Sequence, residues 1–199
     1  MTRIVPAIAM GFLFYPLTLY ANPTIYSINP QKTTISLSWH AFGGISKACM
    51  GNVKGEITLD AGNEREDRID VTIPVATLEA SNGLLTYQMK SRPFFDVESY
   101  PNLVFTSSRV VALENGHFRV FGTLKIKNVT RPVILNASLD GKMGGLSGTE
   151  NIFLYASTAI SRSAFNMDSF AAFVDDTVKI TIEIQARPFK GASIIPGAS

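Results

Sequence analysis

The run over residues 100–135, YPNLVFTSSRVVALENGHFRVFGTLKIKNVTRPVIL, alternates apolar and polar side chains in three stretches separated by two turn-like breaks. A period of two belongs to the β-strand, whose successive side chains point to opposite faces, and it is incompatible with an amphipathic helix. Leu103, Phe105 and Ser107 share one face of the first stretch, as do Phe118, Val120, Gly122, Leu124 and Ile126 in the second and Val133, Leu135 and Ala137 in the third. The expectation is a three-stranded antiparallel meander. Glu114-Asn115-Gly116 makes the first turn, because Asn tolerates positive φ and Gly adopts it without cost. Residues 128–132 are expected to close the second, with Pro132 opening the third strand, where its missing N–H breaks no ladder.

The flanking sequence extends the same pattern. Ile35, Leu37 and Trp39 alternate, then Ile57 with Leu59, then Ile69, Val71, Ile73 and Val75. Between the first two sets lies AFGGISKACMGNVKG, read as a Gly-rich loop; without GxxxxGK[ST] it is no phosphate cradle. Gly62 marks a polar hairpin tip. Further on, Ile152, Leu154, Ala156, Thr158 and Ile160 alternate against Phe153 and Tyr155, and apolar side chains on both faces predict burial of both. Val178, Ile180, Ile182 and Ile184 face one way in the last strand, with Lys179, Thr181, Glu183 and Gln185 opposite. Alternation stops only over 77–100, where Leu84, Leu85, Met89, Phe94 and Phe95 take approximately helical spacing. Ser81 or Asn82 would cap a short helix there, which Pro93 interrupts. About eight short strands with one helical crossover fit a sandwich or a closed barrel, and periodicity does not separate the two.

Three stretches carry a family resemblance: PFFDVESYPNLVFTSSRV, GTLKIKNVTRPVIL, and Ile160-Ser161-Arg162 through Phe165. Together they resemble the YceI family, secreted bacterial proteins described as lipocalin-like, polyisoprenoid-binding barrels. The resemblance spans roughly residues 26–186. It implies a mainly β fold, an extended antiparallel eight-stranded lipocalin-like β-barrel with a short helical crossover, with room for one slender ligand. The implied ligand is a polyisoprenoid, an isoprenoid quinone or a similar long-chain amphipathic lipid, held for transport or storage in the periplasm. The chain departs from the family in the crossover, where members often carry Arg-Asp and His-Leu pairs. The matching positions here are Leu85-Thr86 and Gln88-Met89, so head-group contacts inferred from those charges do not carry over.

Residues 1–21 read as a secretory signal peptide: Arg3, an apolar stretch over 4–20 and a small Ala21. Pro6 and Pro16 interrupt that stretch, and its length of about 17 residues sits at the bottom of the membrane-spanning range. The domain is then expected over 22–188, followed by a loose tail over 189–199 without a period. Of 18 Lys and Arg only Arg3 lies in the leader, which holds no acid, so the formal net charge of +2 falls by one on its removal. A near-neutral chain without a basic patch excludes nucleic acid as a partner.

Catalytic motifs are missing. His40 and His117 belong to no HExxH, Cys49 stands alone, and there is no GxSxG elbow, so neither a metal site nor a hydrolase triad is expected. His117 reads as a solvated turn residue and His40 as a hydrogen-bonded structural one. Cys49, without a basic neighbour, reads as a sheltered small hydrophobe. Asp168, Asp175 and Asp176 read as solvated loop carboxylates, and the sequons at 128–130 and 136–138 as turn and strand.

Binding therefore remains, with no enzyme activity and no cofactor beyond a bound isoprenoid lipid. The inward set expected to contact it is Phe105, Phe118, Val120, Leu124, Ile126, Leu135, Ile160 and Ile182. The plainer alternative is that these side chains fill a small core. Two other readings stay open, a periplasmic interaction or stress protein that uses the barrel as scaffold, and a lipid-modifying enzyme. Transient membrane contact and a homodimer are compatible with the binding reading.

Overall fold

Alternation of this kind gives a strand one apolar face, and among the described residues eleven strands bury those faces within one closed sheet. The computed structural model describes residues 23–60, 66–140 and 150–189. In chain order the strands are β1 (Thr24–Ile28), β2 (Thr34–Ala41), β3 (Gly44–Met50), β4 (Lys54–Leu59), β5 (Arg68–Pro74), β6 (Glu79–Ala80), β7 (Asn102–Ala112), β8 (His117–Ile126), β9 (Val129–Asp140), β10 (Ile152–Ser161) and β11 (Thr177–Pro188). The ring runs β1-β4-β5-β7-β8-β9-β10-β11, and β11 returns to β1 through Tyr26↔Pro188 and Ile28↔Ala186. The other three strands prolong the first walls: β2 continues β1 along β11, β3 pairs with β2, and β6 pairs with β3. The architecture is thus a closed eight-stranded antiparallel barrel whose first three walls are each broken into two pieces.

The three breaks lie side by side at 29–33, 51–53 and 75–78. Thr77 ties two of them, its hydroxyl accepting from Gly51 N at 3.1 Å and donating to Pro74 O at 2.7 Å. Thr33, Val53, Val75 and Leu78 at the breaks are all buried, so the walls bend together over packed side chains. Beyond the bend, β6 has β3 as its one strand neighbour among the described residues. The helix α1 (Gly83–Lys90) and residues 91–101 cross there from β6 to β7. Asn82 caps α1, its Oδ1 accepting from Leu85 N at 2.8 Å.

Several local expectations need correction. The Gly-rich segment is no loop, since Gly44–Met50 is β3. Its alternation is weak because small Ser46 and Ala48 face inward with Met50, while large Ile45 lies exposed on the other face. Cys49 consequently points outward and is exposed, not sheltered. The β8–β9 connection is two residues, with Lys127 at φ 56, so Pro132 lies inside β9 opposite Thr123. It is tolerated because β9 pairs with β10 only over 136–140 and is a local edge at Pro132. Phe153 and Tyr155 are exposed on the outer wall, whereas Ile152 is buried. The leader, Gly62, residues 141–149 and the tail beyond 189 lie outside the described residues.

Candidate functional site

The inward faces do not meet at the barrel axis. They leave a cavity of about 780 Å³, within the range of about 300–1,000 Å³ common to small-molecule sites. At one end it is lined by Leu59, Ile69, Leu139 and Leu154, with Asp60 and Asp67 beside them. Asp67 is buried, and one of its carboxylate oxygens accepts from Asp60 N at 2.8 Å. At the other end, the mouth, the lining comes from Trp39, Phe42, the α1 residues Leu84, Leu85 and Met89, and from Phe94, Phe170 and Arg162.

All eight inward residues expected from the sequence, Phe105, Phe118, Val120, Leu124, Ile126, Leu135, Ile160 and Ile182, line this cavity. β7, β8 and β9 deliver the first six, with Phe105 paired to Leu124, Phe118 to Ala137 and Val120 to Leu135. Ile160 and Ile182 come from the adjoining β10 and β11, which pair Ile182 with Ala156. The register changes once, at a bulge between Ser107 and Arg109, which turns Val110 inward after Ser107. Ser107, buried, is not left unpaired: its hydroxyl accepts from Ile69 N at 2.8 Å across to β5.

Sequence reasoning missed lining residues of two kinds. Met50 and Val53 were hidden in the Gly-rich segment, where a period of two from Ser46 to Met50 was the available signal. Arg162 carried no chemical signal beyond its family motif, yet it is the lining side chain with the most demanding chemistry. The residue as a whole is only 6% exposed. It donates to four backbone carbonyls, Met167 at 2.5 Å, Ser169 at 2.7 Å, Val174 at 2.9 Å and Asp175 at 3.0 Å. A buried charge needs such dipoles to replace its lost hydration, and in supplying them the 163–176 loop is wrapped around one side chain at the mouth.

Asp176 fastens the same loop. Its carboxylate accepts from the Ser161 hydroxyl and from Ser163 N, the latter at 2.8 Å. The Ser161 hydroxyl first, and the Ser163 amide second, hold its pKa below the ordinary carboxylate value. Asp175 reaches His40 Nδ1 at 3.5 Å on the exposed surface, and its amide donates to His40 O at 2.9 Å. His117 is exposed at the start of β8. Among the described residues no group of three His, Cys, Asp or Glu side chains is placed to hold a metal, and no helix is long and apolar enough to cross a membrane.

A closed antiparallel barrel around an apolar cavity defines a lipocalin-like barrel. The chain belongs to the YceI-like domain family, whose model matches residues 26–186. A UPF0312 protein of Photorhabdus laumondii is 38% identical over 88 residues, 44% of this chain and 45% of that protein, so this match spans less than half of the relative. A UPF0312 protein of Vibrio parahaemolyticus is 24% identical over 164 residues, covering 81% of this chain and 84% of the relative. Among solved structures, BcnA of Burkholderia cenocepacia superposes with a TM-score of 0.70 at 19% identity, over 79% of this chain and 98% of BcnA. A domain of Saccharophagus degradans, described as polyisoprenoid-binding and implicated in plant cell wall breakdown, superposes with a TM-score of 0.64 at 10% identity, over 82% of this chain and 98% of that domain.

Proposed function

We propose that this protein is a periplasmic binding protein, not an enzyme, which holds a polyisoprenoid, an isoprenoid quinone or a similar long-chain amphipathic lipid in the barrel for transport or storage. The observation that carries this reading is the cavity itself: about 780 Å³ lined chiefly by aliphatic and aromatic side chains contributed by all eight walls. Burying each cargo methylene there is worth about 0.8 kcal/mol, so a long chain is held tightly without polar contacts. The family and a similarly folded domain described as polyisoprenoid-binding support the cargo class. Family membership and the apolar leader support export. Cargo of this class partitions into membranes, so brief membrane contact at loading and delivery is part of the reading.

The test is organic extraction of protein purified from periplasmic fractions, with mass spectrometry of the extract. A stoichiometric isoprenoid or quinone is the expected result. Protein that emerges without lipid, and that takes up neither a long-chain prenol nor a quinone offered in detergent micelles, would overturn it.

A further inference from the structure

We infer that the apolar rim around the cavity mouth docks onto the zwitterionic surface of a phospholipid bilayer, a step that rests on the lipid-binding reading and names the partner of that site. Large apolar side chains at this end are far more exposed than an unoccupied surface needs. Phe42 is 72% exposed, Ile45 64%, Leu84 78%, Tyr87 76% and Phe173 62%. Leu84 and Tyr87 are three apart on α1 and so share one face of the helix. Phe42 and Phe173 stack on each other, and large apolar side chains left this exposed around one opening mark an interaction site.

Backbone conformation supports the assignment. Phe42 and Phe170 sit at φ 51 and φ 61, in the left-handed region that bulky side chains rarely occupy. Phe42 precedes Gly43, φ 78, at the tip of the β2–β3 hairpin, where Asn or Gly would fit without strain. Both strained rings are also held in stacked pairs, Phe42 on Phe173 at 5.6 Å and Phe170 on Phe94 at 6.3 Å. Strain kept at exposed aromatics is a cost that ordinary solvent-facing turns avoid.

What covers the rim follows from its continuity with the cavity and from its charges. Phe42, Leu84 and Phe170 belong at once to the rim and to the cavity lining. An apolar surface therefore runs unbroken from the outside to the interior, and a bilayer seated on it would let cargo pass without crossing water. Exposed charges at this end are of both signs, Lys47 and Arg92 against Asp168 and Asp175. That pattern matches zwitterionic head groups and offers no field for a strongly acidic or basic partner.

The experiment is flotation of the protein with phosphatidylcholine vesicles, using rim positions that do not line the cavity. The triple variant Ile45→Ser, Tyr87→Ser, Phe173→Ser should lose vesicle binding at least tenfold, whereas Phe153→Ser with Tyr155→Ser on the outer wall should bind as the parent does. Raising the salt should leave the parent's binding unchanged. Retention of a long-chain prenol delivered in detergent micelles is measured in parallel and should be equal in all three proteins. Failure of the parent to float, equal loss in the wall variant, or a parent dimer that the rim variant alone dissociates would each overturn docking. Flotation that depends on the rim in protein unable to hold prenol would keep docking and overturn the cargo reading instead.

Discussion

Gly122 on β8 lies beneath the ring of Phe105 on β7: a Cβ at 122 would stand 2.7 Å from the ring atoms Cε2 and Cζ and 2.5 Å from Thr106 O. The missing side chain is what lets the phenylalanine ring lie flat against the wall and leaves space along the axis. Gly122→Ala should therefore lower stability by about 1–3 kcal/mol, the usual cost of overpacking, read from the midpoint of urea unfolding. It should also push the ring into the cavity and weaken prenol uptake. An unchanged midpoint with unchanged uptake would mean that the ring is free to move aside.

Leu124 and Lys125 are neighbours on β8 that face opposite ways, Leu124 buried in the lining and Lys125 exposed. Leu124→Arg should abolish lipid retention, because a guanidinium among aliphatic side chains either goes unpaired or draws water in. Lys125→Ala should shift stability by no more than about 0.5 kcal/mol and leave bound lipid unaltered. Leu124→Arg protein that melts normally and carries the same lipid would remove the cavity as binding site.

Asp176 makes stability depend on acid. Its folded-state pKa is lowered, so the stabilisation it gives is present at neutral pH and disappears as pH falls through the folded value. Asp176→Asn should melt below the parent at neutral pH, and the two melting curves should converge as pH drops beneath the carboxylate range. Because Asp176 is exposed, the gap should be small and should shrink in salt. A gap that persists in acid would assign the effect to lost loop geometry.

Cys49 faces solvent on β3, opposite Ser36, so a thiol reagent should modify it fully without denaturant. The labelled protein should retain its lipid, since the adduct grows away from the interior. Labelling that waits for denaturant would reverse that orientation.

Much of this barrel is legible because strand alternation is most regular where one face meets a cavity and the other meets water. β8 shows it best: Val120, Gly122, Leu124 and Ile126 are buried in turn while Thr123 and Lys125 are exposed. Legibility fails where size and direction disagree. In β3 the inward Ser46 and Ala48 are smaller than the outward Ile45, so the period of two vanishes into what looks like a glycine-rich loop. The outward Phe153 and Tyr155 of β10 mislead in the same manner, as apolar side chains on a surface. The role of Arg162 was illegible for another reason. Its partners are backbone carbonyls, which every residue possesses, and the loop's path decides which ones arrive.

The seam between β11 and the two pieces of the first wall, β1 and β2, joins the start of the described sheet to its end. During synthesis the preceding walls can form hairpin by hairpin from local contacts, but the tube acquires an inside only when the last strand arrives. Ring closure is thus the pairing with the highest loop entropy. Until then the cavity-facing side chains line an open, curved sheet with unpaired edges at β1, β2 and β10, the form in which two nascent chains would most readily pair with each other.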